Sequence, residues 1–259
     1  MIPKKIYFMF GMKEDFGGKP FSFSNYLNIL SAHQVNPDYE IELLYKYAPD
    51  NKYFNQLNSF CKLTQIDDWP QTLNNNPVNR VEHICGYLRI KKLYEEGGIY
   101  LDTDVICVKS FDDLLDGECI LGTEWQSPKA ERAYGTSDAI ILAEKHSPFL
   151  KRWIDDYYIN YENKWYAYNG CARPFDLSKE FPDEVNILPV ESFCKYSWHT
   201  EGFNNLFIKN SNLDGSYTLH LFSSMNSKHL ELYDDLNNEV WKRNCTVTNI
   251  YKQILENTK

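Results

Sequence analysis

Short apolar blocks alternate along the chain between a period near two and a period near 3.6, and that alternation predicts an α/β fold. Lys5–Phe10 (KIYFMF) reads as a buried strand ending at Gly11, and a glycine-bearing loop from Gly11 to Pro20 follows, a strand end suited to a ligand rim. Ser24 is placed to cap a helix through Leu27, Leu30 and Ser31, which Asn36-Pro37 stops before a second strand, Ile41–Tyr47. A second helix is expected over Asp50–Phe60, and the polar stretch Asp67–Asn76, with Pro70, reads as a surface loop.

From Val78 to Glu96 one long helix is predicted, with Val81, Ile84, Cys85 and Leu88 on one face and Tyr87, Ile90 and Tyr94 widening that stripe. Gly97-Gly98 is its C-cap, and Ile99–Val108 reads as the next strand. This order favours a mainly parallel central sheet with helices on both faces. The second half is less regular: Ala139–Ala143 is strand-like, Pro148–Tyr158 helix-like, and turns are signalled at Asn169-Gly170, Asp183, Gly202 and Asp214-Gly215. With no repeat or linker, residues 1–259 read as one domain, its halves dividing near residue 110.

Charge narrows the partners. A net charge of -9 and the lack of any long basic run argue against nucleic acid and against an anionic lipid surface. An anionic small molecule remains possible where a divalent cation and a local Arg or Lys offset the repulsion. The 19 Tyr, 15 Phe and 6 Trp suit sugar or base stacking, and equally suit an ordinary core. Seven cysteines, at 61, 85, 107, 119, 171, 194 and 245, form no CxxC pair, so reduced and mostly buried thiols are expected. No apolar stretch is long enough for a signal peptide or a membrane span, and a cytoplasmic protein is the expectation.

The chemistry concentrates in GGIYLDTDV, residues 97–105, where Asp102 and Asp104 interrupt an apolar strand. Side chains two apart on a strand share a face, about 7 Å apart by strand rise. Such a pair suits hard Mg²⁺ or Mn²⁺, which takes oxygen ligands and keeps positions open for substrate phosphates. The alternative is that the strand ends at Leu101 and the aspartates cap a solvated turn.

RVEHICGYLRIKKLYEEGGIYLDTDV, residues 80–105, resembles the DxD region of glycosyltransferase family 32, which includes yeast-type mannosyltransferases and α-1,4-galactosyltransferases, and is similar to the clostridial toxin glucosyltransferases. IPKKIYFMFG, NPDYEIELLY, NILPVESF at 186–193 and YTLHLFSS at 217–224 line up in the same order. The resemblance implies a GT-A-type fold and a metal-dependent sugar transfer from a nucleotide diphosphate donor, UDP-sugar favoured and GDP-sugar possible. The acceptor it implies is a glycan or glycoconjugate, as in polysaccharide biosynthesis, and the transfer retains anomeric configuration. It implies Mn²⁺ or Mg²⁺ on Asp104 and Asp102, with His220 completing the metal or diphosphate site. Phe10 falls where relatives stack the base, Arg89 where they contact donor sugar or phosphates, Tyr100 near the nucleotide, and Asp138 near the sugar pocket.

One departure stands out. Relatives carry an aspartate three residues before the arginine, and this chain has Gly86 there. A non-catalytic nucleotide-sugar or glycan-binding protein on the same fold therefore stays open. A metal-dependent nucleotidyltransferase would also pair aspartates at a strand end, but neither GxxxxGKS/T nor a Gly-rich phosphate loop before a helix is present.

Overall fold

The computed structural model describes residues 1–67, 69–125 and 134–258. In chain order the elements are β1 (Lys5–Phe10), α1 (Phe23–Val35), β2 (Glu40–Tyr45), α2 (Lys52–Gln56), β3 (Lys62–Gln65), β4 (Thr72–Leu73), β5 (Asn76–Pro77), α3 (Val81–Glu96), β6 (Gly98–Leu101) and β7 (Val105–Cys107). The second half supplies β8 (Cys119–Trp125), β9 (Tyr134–Ala143), α4 (Pro148–Ile159), α5 (Arg173–Glu180), β10 (Asn186–Leu188), α6 (Val190–Phe193), α7 (Thr200–Phe207), β11 (Thr218–His220), α8 (Ser223–Leu230) and α9 (Thr246–Glu256).

Seven strands form one sheet in the order β10-β8-β9-β6-β1-β2-β3. It is mostly parallel, with β9 alone antiparallel to both its neighbours, β6 and β8. Alternation along β1 shows how the sheet is covered. Ile6 and Phe8 face one way, onto Ile29 and Ala32 of α1 and Phe54 of α2. Tyr7 and Met9 face the other, among Ile90 and Leu93 of α3 and Phe149 and Trp153 of α4. A further cluster joins the outer face of α1, through Phe23, Leu27 and Leu30, to α7, α9 and a second small sheet of β7 and β11.

Several boundaries move. Ser22, not Ser24, caps α1 through a reciprocal box with Asn25, while the buried Ser24 hydroxyl donates to Leu230 O. The helix expected from Val78 starts at Val81, and that expected over Asp50–Phe60 is α2 plus a 3-10 turn over 57–59. Within the stretch read as a polar loop, β4 and β5 pair across a turn at Asn74 and Asn75, both in the left-handed region; residue 68 lies outside the described residues.

The largest correction concerns the strand expected over Ile99–Val108. It is two strands in two sheets: β6 ends at Leu101, and β7 pairs antiparallel with β11. Gly98 enables the first half, because a Cβ there would lie 2.8 Å from Lys5 O and 2.9 Å from the Tyr7 ring. Among the described residues, no helix is long and apolar enough to cross a membrane.

Candidate active site

Asp102, Thr103 and Asp104 form the crossing between the two sheets. Every side of this turn is tied down: Asp102 N donates to Ala139 O of β9, Val105 N to Asp102 O, and Leu221 N to Asp104 O. The α1 side chains Asn25 and Asn28 both donate to Thr103 O, at 3.2 and 2.9 Å, and Tyr251 of α9 holds Asn28 by donating to its Oδ1 at 2.9 Å. The strand does end at Leu101, yet the turn is not a solvated one, since Asp104 is only 9% exposed.

Its carboxylates converge with His220, one ligand atom from each of the three lying within 4.8 Å of the others. His220 Nε2 stands 3.4 Å from Asp104 Oδ1, and Ser223 N, at the start of α8, donates to Asp104 Oδ2 at 2.7 Å. Burial opposes ionisation of Asp104, but His220 and the Ser223 amide outweigh it and hold the carboxyl well below its ordinary range. Burial likewise works against a charged His220, and Asp104 reverses this, raising the imidazole well above its usual value. Asp102 behaves differently: burial is the leading cause that pushes it up to about 6, with Asp104 adding to the rise and Arg89 opposing it.

Arg89, 5% exposed on α3, lies under this turn. It pairs with Asp102 at 3.2 Å and Asp138 at 3.6 Å, donates to Asp138 O, and its guanidinium sits 4.3 Å above the Tyr100 ring. Burial disfavours that charge, while Asp102, Tyr100 and Asp138 hold the guanidinium well above the ordinary range. Tyr100 completes the group by donating to Asp102 Oδ1 at 2.7 Å.

Asp138 lies within β9, and its side chain enters a slot between two glycines. A Cβ on Gly86 would come 3.6 Å from Asp138 Oδ2, and one on Gly170 would strike the Asp138 carboxylate, 2.7 Å from its Cγ. Gly86 also admits Tyr157, whose hydroxyl would be 2.7 Å from that Cβ and donates to His83 O at 2.9 Å.

Arg89, Tyr100, Asp102, Asp104, Asp138 and His220 all line one cavity of about 600 Å³. Phe10 lies outside that lining, partly buried, with its ring 5.9 Å from Phe16 and 5.0 Å from Phe21. Lys19 of the glycine-bearing loop, Glu124 of β8 and the indoles of Trp165 and Trp198 line the same cavity. None of these was singled out in the sequence. Each lies in a segment without a motif, and only the fold brings it to Asp102.

The architecture is of the GT-A type seen in solved glycosyltransferases, with the DxD turn at its cavity. More narrowly, residues 22–121, from the cap of α1 into β8, match the family described as "Glycosyltransferase sugar-binding region containing DXD motif". Glucan organizing enzyme 1 of Cryptococcus neoformans var. grubii is 27% identical over 237 residues, 87% of this chain and 63% of that protein. An uncharacterized Arabidopsis thaliana protein is 31% identical over 120 residues, 43% of this chain and 18% of its own length. The chain thus spans less than two thirds of either curated relative. In fold, it is similar to mouse xyloside xylosyltransferase 1, with a TM-score of 0.53 at 11% identity over 87% of this chain and 99% of that one. GlyE of Streptococcus pneumoniae gives a TM-score of 0.52 at 16% identity over 98% and 60%.

Proposed function

We propose that the protein transfers a sugar from a nucleotide diphosphate donor, UDP-sugar before GDP-sugar, to a carbohydrate acceptor, with retention of anomeric configuration. The observation that carries this is the convergence of Asp102, Asp104 and His220 on the floor of a cavity in a chain with the DxD sugar-binding region. Two carboxylates and an imidazole within 4.8 Å fit Mn²⁺ or Mg²⁺ and leave positions for phosphate oxygens. Bound there, such a cation supplies Lewis-acid stabilisation of the charge that develops on the leaving diphosphate.

The chain's own residues do the rest. Ser223 N and the asparagines of α1 hold Asp104 and Thr103 in place before any ligand arrives. Arg89 acts from below, its charge fixing Asp102 and Asp138. Asp138 accepts hydroxyls of the donor sugar, standing in for the carboxylate that Gly86 lacks. Lys19 meets the phosphates from the loop, and Phe10 with Phe16 supplies the aromatic stack for the base beside it. Because Asp138 fills the gap, an ordinary hexose donor fits as well as a pentose or deoxysugar. The seven cysteines are unpaired, which supports a reducing, cytoplasmic setting.

The test is a screen of UDP- and GDP-sugars with Mn²⁺, reading nucleotide release with and without EDTA. Release with one donor, abolished by EDTA and restored by Mn²⁺, is expected. Donor binding without release from any donor would identify a non-catalytic binding protein instead.

A further inference from the structure

A second group of potential ligands lies beside the first. Glu124 of β8, Cys194 at the end of α6 and His220 of β11 each offer one atom, and the three lie within 4.8 Å of one another. The fold goes to some length to assemble them. Gly122 lets α6 lie against β8, because a Cβ there would be 2.6 Å from the Phe193 ring, and this brings the next residue, Cys194, to Glu124. Thr218 Oγ1 donates to Phe193 O at 3.0 Å, tying β11 and therefore His220 to the same corner. Cys194 is fully buried, and His220 Nδ1 is buried without a hydrogen-bond partner.

We propose that Glu124, Cys194 and His220 form a binding site for a thiophilic divalent cation of the Zn²⁺ class, distinct from the Asp102–Asp104 group but sharing its histidine. Sulfur, nitrogen and oxygen from three side chains are the donor set of a tetrahedral zinc site whose fourth position is left open, here toward the cavity that Glu124 and His220 line. A hard cation such as Mg²⁺ gains little from the thiolate, so the two sites select different ions. The three side chains meet in buried surroundings, where the His220 ring faces the Cys194 thiol and its Nδ1 gains no full hydrogen bond. A cation satisfies all three at once, and the protons of the Cys194 thiol and of the His220 imidazolium leave to the buffer as the metal–sulfur and metal–nitrogen bonds form. A neutral imidazole has one free lone pair, so a cation here competes with the Asp102–Asp104 group for His220.

Co²⁺ titrated into the EDTA-stripped full chain tests this by absorption, independently of any transfer activity. The expected result is one equivalent of Co²⁺ with a thiolate-to-cobalt charge-transfer band. That band should persist in Asp104→Asn and vanish in Cys194→Ser. Glu124→Gln should weaken Co²⁺ binding by roughly tenfold or more, since loss of an outer-shell partner alone costs that much. It decides the matter if circular dichroism shows that Cys194→Ser does not fold. Absence of the band, its survival in a folded Cys194→Ser, its loss in Asp104→Asn, or unchanged affinity in Glu124→Gln overturns the proposal.

Discussion

The carboxylate of Asp138 lies 3.6 Å from the point where Gly86 would carry a Cβ, so a strand residue occupies the space beside a helix glycine. Losing one charge-assisted hydrogen bond costs about 1.5–3 kcal/mol. Asp138→Asn should therefore lower kcat/KM for the donor roughly ten- to hundredfold. Replacing Gly86 perturbs packing as well as the pocket, because any side chain there meets the Tyr157 hydroxyl at 2.7 Å. Gly86→Ala should destabilise the fold by about 1–3 kcal/mol through overpacking. Adding Tyr157→Phe should recover part of that loss in chemical denaturation. Failure of Tyr157→Phe to recover any of it would mean that the hydroxyl is not the obstacle.

Asp104 serves the fold as well as the site. It is 9% exposed, accepts the Ser223 amide and pairs with His220. Asp104→Asn should abolish Mn²⁺ binding by calorimetry and cut turnover roughly a hundredfold or more. It should also lower stability in metal-free buffer by about 1–3 kcal/mol, since it weakens charged partners for buried groups. Full turnover in this variant would remove Asp104 from the metal site.

The two asparagines of α1 make a separable claim. Asn28 links Tyr251 to Thr103 O, so it holds the peptide between the two aspartates without touching a ligand. Asn28→Ala should weaken Mn²⁺ affinity roughly tenfold, the lower end of what outer-shell partners contribute. The same calorimetric titration checks this, with circular dichroism confirming the fold. Unchanged affinity would show that Asn25 alone suffices.

What could be read in advance follows from where information sits along the chain. The first half was legible because strand and helix periods, Gly97-Gly98 and the DxD all lie within short windows, and each window fixes its own local structure. The break of the strand at Leu101 was not legible from periodicity, because VIC on β7 is as apolar as IYL on β6, and what separates them is pairing with the distant β11. Ser24 and Ser22 are equally good caps by type, and Asn25 decides between them. The slot holding Asp138 was hidden more deeply. Gly86, Asp138 and Gly170 belong to three segments, and a glycine that makes room leaves no signal of what will fill it.

Asp102 carries the pH dependence. Burial pushes its carboxyl up to about 6 from 3.8. The folded state therefore favours the protonated acid, and the stability this group contributes is fully present below pH 4 and is lost as pH rises through 6. A shift of this size corresponds to about 3 kcal/mol at about 1.4 kcal/mol per unit. With 29% of the side chain exposed, solvent screening reduces this to about 2 kcal/mol. Asp102→Asn has no such proton to lose. In metal-free buffer the variant should gain on the native protein in thermal midpoint between pH 4 and pH 7, with most of the change near pH 6. Mn²⁺ should reverse the trend in the native protein, because it binds the carboxylate and so stabilises more as pH rises through the same window. A pH-independent difference between the two proteins without metal would place the Asp102 carboxyl in its ordinary range and remove burial as its controlling influence.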